Sequence, residues 1–217
     1  MPVKTGLKVV THFKKPWDVE KAIQAYEQEP LEKGQIVFYG PSNFTRWSTK
    51  WGMQPLREVL LGKSGAPCAV NRGFGTSNAE LQLYYYPRMV RPLEPKVLVY
   101  FGFGNQHTYT DEETWELMQR VVAYALADFP GIHVYLLGRG YNPKMTEEGM
   151  EKRQKVNGWL KEFAENTPGC YYLDTFSYKP LWNPDLFVED GVHMNQEGYR
   201  VYEAFFKEAL AEELERF

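Results

Sequence analysis

KVLVYF, residues Lys96–Phe101, is nearly all apolar and is built from β-branched and aromatic side chains. A run this short without a polar face reads as a central strand of a parallel sheet, buried on both sides. Working outward, comparable runs occur at Gln35–Gly40 (QIVFYG), Cys68–Asn71 (CAVN), Ile132–Leu137 (IHVYLL) and Cys170–Leu173 (CYYL). The last two follow the breakers Pro130-Gly131 and Pro168-Gly169. Helical patterns separate the later strands. Thr110 with Glu113 forms a capping box, and Trp115, Met118, Val122, Ala125 and Phe129 make an amphipathic stripe behind it. Residues 147–165 carry Met150, Val156, Trp159, Leu160 and Phe163 on one face. A last helix starting near Asn195 turns Tyr199, Tyr202, Phe205, Phe206, Ala209 and Leu210 toward the core. Strands alternating with helices predict an α/β protein with a helix-covered parallel sheet.

At 217 residues, without internal repeats or a Gly/Ser/Pro linker, the chain suits one domain. Residues 1–33 are expected to form a helical or irregular arm (Val19–Glu27 at its centre) on a domain spanning 34–217. A net charge of −3 and the lack of a basic run exclude the footprint of a nucleic-acid binder. Cys68 and Cys170 lie in apolar stretches and read as buried free thiols. MPVKTGLKVVTHFKKPW has no signal-peptide core, and no window approaches about 18 apolar residues, so a cytoplasmic protein without a membrane span or membrane partner is expected.

Ligands of open parallel sheets bind beyond the carboxyl ends of the strands. The first strand leads into Tyr39-Gly40-Pro41-Ser42-Asn43 and the second into Asn71-Arg72-Gly73-Phe74-Gly75. The third leads into Gly102-Phe103-Gly104-Asn105-Gln106, and Asp190-Gly191-Val192-His193-Met194-Asn195 precedes the last helix. Each residue type has a task in acyl transfer. A serine hydroxyl needs a base to take its proton. An imidazole, with an ordinary pKa near ~6.5, suits that work, and a carboxylate fixes its tautomer. The oxyanion needs hydrogen-bond donors, and the backbone amides of Ser42 and Gly73 and the Asn105 side chain are candidates.

These blocks resemble the GDSL/SGNH hydrolase family of lipases and acylhydrolases. GPSN (Gly40–Asn43) stands where the family has Gly-Asp-Ser, NRGFGTS (Asn71–Ser77) looks like its glycine block, GFGNQ (Gly102–Gln106) its asparagine block, and DGVHMNQEGY (Asp190–Tyr199) its Asp-x-x-His block. The resemblance runs from about residue 34 to the end. It implies Ser42 as nucleophile, His193 as base, Asp190 as orienting acid, and Gly73 and Asn105 in the oxyanion hole with Ser42. It further implies a three-layer α/β/α sandwich with a flavodoxin-like five-stranded parallel sheet, and no cofactor or metal. Pro41, Phe103 and Gln106 depart from the family pattern.

The reading is therefore a serine esterase acting on a small-molecule ester, removing a short acyl group such as acetyl from a carbohydrate or similar polar molecule. Asn43, Phe44, Trp47, Phe74, Phe103 and His107 are candidates for the substrate pocket, with Phe44, Phe74 and Phe103 limiting the acyl cavity. The alternative is a non-catalytic ligand- or glycan-binding module on the same fold. A flavin or nucleotide binder is disfavoured because Asn78 occupies the last position of a GxGxxG pattern, and a metal hydrolase because no HxxxH spacing exists. Asp174, a rival acid after the fifth strand, reads as a turn residue, and His12 and His133 as structural or surface residues.

Overall fold

The computed structural model describes residues 19–105 and 109–217. A five-stranded parallel sheet flanked by helices has the order β2-β1-β3-β4-β5. Its strands are β1 (Ile36–Gly40), β2 (Ala69–Gly73), β3 (Val97–Tyr100), β4 (His133–Leu137) and β5 (Cys170–Leu173). The helices are α1 (Val19–Glu27), α2 (Ser42–Thr45), α3 (Leu56–Val59), α4 (Ala79–Met89), α5 (Asp111–Asp128), α6 (Glu147–Asn166), α7 (Gln196–Ala209) and α8 (Ala211–Leu214). KVLVYF is central as expected, with every residue of β3 buried. The second strand continues two residues past its expected end, so Gly73 belongs to β2 and not to the following loop.

The chain divides into two compact units, residues up to Thr45 with Val70–Val134, and Arg46–Ala69 with Tyr135–Phe217. In the first unit β1 and β3 pair in parallel, from Ile36 opposite Val97 to Tyr39 opposite Tyr100. Tyr39 and Tyr100 are both buried and stack with centroids 6.0 Å apart. The Tyr39 hydroxyl donates to Gln82 O at 2.6 Å, which provides the hydrogen bond a buried phenol requires. The Thr110 capping box opens α5 as its spacing predicts. Its buried face is Thr114, Leu117, Met118, Val121, Val122 and Ala125, one position round from the expected stripe, so Trp115 and Phe129 are only half-buried.

The described part of the N-terminal arm, α1, is tied to α4 by charge. Arg88 reaches Glu20 at 2.9 Å and Glu27 at 2.7 Å, and Tyr85 donates to Glu20 at 3.0 Å. The Tyr26 hydroxyl donates to Gly73 O at 2.6 Å, and buried Arg72 pairs with Glu29 at 2.6 Å.

In the second unit the aromatic face of α7 makes the core. Trp47 is 2 % exposed and lies among Tyr199, Tyr202 and Phe206 at centroid distances of 5.5–5.9 Å. Cys68 and Cys170 are buried free thiols, each pushed up to about 11 by burial. Among the described residues, no helix is long and apolar enough to cross a membrane.

One buried polar residue in α6 was invisible to hydrophobic periodicity. Asn157 is 7 % exposed and faces the segment after β4, where its Oδ1 accepts from Arg139 N at 2.8 Å and its Nδ2 donates to Arg139 O at 3.1 Å. One side-chain amide thus satisfies both backbone groups of a residue that has left the sheet. Asn157→Ala leaves both without that partner and should cost about 1–3 kcal/mol in a urea unfolding titration. Unchanged stability would contradict the clamp.

Candidate active site

Three of the four sequence blocks lie in the first unit, and they are locked to one another. β1 ends at Gly40, and after Pro41 the chain turns into α2, whose first residue is Ser42. Pro41 O accepts from Phe44 N at 3.1 Å and from Thr45 N at 3.2 Å, which closes the turn. Phe44 anchors it from below, fully buried and edge-on to Phe38 at 5.3 Å.

The turn sits directly on β2. A Cβ on Gly73 would lie 2.5 Å from both Phe44 Cβ and Thr45 N, closer than atoms approach. Glycine is therefore required there for backbone packing. Asn71 fastens the same contact from its side chain, donating to Phe44 O at 2.7 Å and accepting from Gly73 N at 2.8 Å. That second bond corrects the role expected of Gly73. Its amide has one hydrogen, already donated to Asn71 Oδ1, so Gly73 supports the Ser42 turn and does not offer an oxyanion donor. Asn71 is the residue that sequence reasoning missed, although it opens the NRGFGTS block.

The asparagine block closes on the other two. A Cβ on Gly104 would fall 2.6 Å from Pro41 Cγ, and Asn105 Nδ2 donates to Ser77 O at 3.0 Å. Asn105 adopts a left-handed backbone (φ 51°), one of the few non-glycine residues that tolerates it. Its amide nitrogen carries two hydrogens, and the bond to Ser77 uses one. Thr76, in the glycine block, is also left-handed (φ 62°), and its hydroxyl donates to Gly75 O at 2.6 Å. Asn78 caps α4 by accepting from Leu81 N at 3.0 Å.

Four of the pocket candidates need correction. Phe44, Trp47, Phe74 and Phe103 are 0–3 % exposed and belong to the core, so they do not wall an open cleft. Phe74 packs on Tyr39 and edge-on to Tyr85. Asn43 and Ser42 are half-buried. His107, Gln106 and His12 lie outside the described residues.

The fourth block lies in the second unit and shows the acid–base geometry. The chain folds back between Phe187 and Met194, with Val188 N donating to His193 O at 2.9 Å. Gly191, left-handed at φ 69°, makes the reversal possible. Asp190 Oδ1 accepts from Val192 N at 2.8 Å and from His193 N at 2.9 Å, and its Oδ2 lies 2.6 Å from His193 Nδ1. A carboxylate at Nδ1 holds the proton there and makes Nε2 the basic nitrogen. Partial burial pushes the Asp190 carboxyl up, but the bonds from the His193 ring and from the two backbone amides outweigh it and hold the group at about 2. Asn195 then starts α7, accepting from Gly198 N at 3.0 Å and donating to Asp185 O at 2.6 Å.

Asp174 is a turn residue as expected, accepting from Ser177 N at 3.0 Å and from Ser177 Oγ at 2.7 Å. An open groove of about 830 Å³ along β5, walled by Tyr171, Tyr178 and Phe205, includes neither Asp190 nor His193.

Comparison with known proteins agrees with this architecture. Residues 37–201 match the model of the GDSL-like lipase/acylhydrolase family. No curated protein sequence matches the chain. Among solved structures, a GDSL-like lipase from Bacteroides thetaiotaomicron superposes with a TM-score of 0.70 at 18% identity, covering 90% of this chain and 98% of that one. A catalytic mutant of an acetylxylan esterase from Geobacillus stearothermophilus gives a TM-score of 0.64 at 14% identity, with 82% and 95% covered. At such identities the structural likeness concerns the fold alone, whereas the family match spans most of the chain. This chain belongs to the GDSL-like lipase/acylhydrolase family.

Proposed function

We propose that the protein is a serine ester hydrolase that removes a short acyl group, such as acetyl, from a carbohydrate or similar polar molecule. The observation that carries this reading is the Asp190–His193 pair, whose 2.6 Å contact gives the imidazole the tautomer of a general base. Ser42 is the nucleophile in this reading, and its position at the start of a turn after the first strand is the one the family resemblance requires. His193 Nε2 takes the Ser42 proton as Oγ attacks the ester carbonyl, then returns it to the departing alcohol. The oxyanion of the tetrahedral intermediate is held by the Ser42 amide and by the second hydrogen of Asn105 Nδ2. Water repeats the sequence on the acyl-enzyme and releases the acid.

The short acyl group in this reading takes its support from a structural likeness. The likeness to an acetylxylan esterase is in keeping with an acetyl group on a sugar.

Ser42→Ala should lower kcat on p-nitrophenyl acetate by at least about 10³-fold without changing the far-ultraviolet circular dichroism. Retained turnover would reject the assignment. In the wild type, kcat/KM should fall from p-nitrophenyl acetate through butyrate to octanoate, and a preference for octanoate would defeat the short-chain part.

The Asp190 carboxyl also makes a pH prediction. Its folded pKa of about 2 lies below the ordinary 3.8, so folding is favoured wherever the group is ionised in the unfolded chain. That contribution is complete above pH 3.8 and disappears as pH falls through about 2. With the side chain 42% exposed, the contribution is modest. The stability advantage of wild type over Asp190→Asn, measured by chemical denaturation, should therefore be level above that window and shrink within it. An advantage independent of pH there would show that the carboxylate is not held by these bonds.

A further inference from the structure

Six of the ten arginines are seen in pairs with carboxylates. Arg72 meets Glu29, Arg88 meets Glu20 and Glu27, Arg91 meets Asp128, Arg120 meets Glu116, Arg200 meets Glu197 and Arg216 meets Glu213. Arg153 is not among them. It lies on α6 one turn before Asn157, half-buried, and its Nη1 donates to Gly140 O at 3.0 Å. Among the described residues no carboxylate pairs with it. Its charged neighbour is a second arginine, Arg139, in the same segment after β4. Burial, and then the Arg139 charge, push the Arg153 guanidinium down to about 10.

A guanidinium has five N–H donors, and withdrawing it from water beside a like charge is costly unless an anion compensates. The segment that carries this charge also meets the proposed catalytic loop within the same unit. Lys144 Nζ donates to Glu189 O at 2.6 Å, and its methylenes lie against Gly191. Tyr141 stacks on Trp182 at 5.1 Å and meets Phe187 edge-on at 5.9 Å, and Phe187 bridges to Met194 beside His193. Arg153 on α6 and the Asp190–His193 loop thus both contact the segment after β4, at the strand end where ligands of such sheets bind.

We propose that Arg153 anchors an anion subsite and that the ester substrate carries a carboxylate or phosphate which this guanidinium holds. The planar fork of arginine binds either group through two parallel N–H bonds, and the ligand supplies the counter-charge that the protein does not. The Asn157 clamp fixes the segment whose Gly140 carbonyl positions Arg153. The proposal rests on the esterase reading only for the word substrate; the subsite itself is a binding property.

Binding is measured first, because it needs no turnover. 4-Hydroxybenzoate and phenyl phosphate are titrated calorimetrically into wild type, Arg153→Gln and Arg153→Lys, with thermal melts to establish that each variant is folded. Wild type should bind at least one of the two anions, which identifies the preferred group. Its affinity should fall about 10- to 100-fold in Arg153→Gln and by less in Arg153→Lys, which keeps the charge and loses the fork. No binding to wild type at millimolar anion, or equal affinity in wild type and Arg153→Gln, overturns the subsite.

Hydrolysis of matched pairs then places it in the reaction: 4-acetoxybenzoate against its methyl ester, and 4-acetoxyphenyl phosphate against 4-acetoxyanisole. The preference for the anionic member, taken as a ratio of kcat/KM within each protein, should drop about 10- to 100-fold in Arg153→Gln. A ratio unchanged within about twofold means that Arg153 only braces Gly140 O, and overturns the substrate role. Anion binding without hydrolysis of any ester, p-nitrophenyl acetate included, leaves the subsite standing and removes the esterase.

Discussion

A carboxylate with both oxygens engaged is the constraint on which the proposed chemistry depends. Asp190 takes two backbone amides on one oxygen and the His193 ring on the other, so neither the acid nor the imidazole is free to turn. The amides belong to Val192 and to His193 itself, which makes the loop its own template: the backbone that carries the imidazole also orients the carboxylate. A tight reversal at Gly191 and the Asn195 cap of α7 hold the two ends of this loop. In the proposed hydrolysis this arrangement is set before any substrate arrives, which is how preorganised electrostatics lower a barrier.

The first unit solves a different problem, bringing a helical turn onto a strand closely enough that side chains do not fit between them. Gly73 removes the side chain, Asn71 hydrogen-bonds across the gap in both directions, and Gly104 lets the third block settle on Pro41. The Phe44 anchor beneath the turn is fully buried. Three glycine- or asparagine-bearing blocks that look like a catalytic inventory in sequence are, in large part, the means of holding Ser42 in a short, half-buried turn. This also explains why proline is accepted before the serine: Pro41 contributes only a carbonyl to the turn and an apolar ring to Gly104.

Much of this was legible in the sequence for definite reasons. The apolar run KVLVYF announced a strand buried on both faces, and the Thr110–Glu113 spacing located the start of α5. The Asp190–His193 contact was foreseen because DGVHMNQEGY resembles the family's Asp-x-x-His block. What escaped were features set by packing between distant segments. No periodicity marks Asn157, a polar residue buried on a helix because a backbone from elsewhere needs its amide. Composition could not distinguish aromatic side chains that line a cleft from those that fill the space below one, and Phe44, Trp47, Phe74 and Phe103 proved to be the second kind. Nor could a motif reveal that the Gly73 amide already had an acceptor two residues away.

The account stands on an activated hydroxyl at Ser42, and reaction with a fluorophosphonate probe followed by peptide mass spectrometry examines it most directly. The account predicts rapid phosphonylation of wild type at Ser42 alone, slowed by at least about 10³-fold in His193→Ala, because only a serine served by a base reacts quickly. No labelling of folded wild type, labelling at another serine, or a rate indifferent to His193 would contradict it.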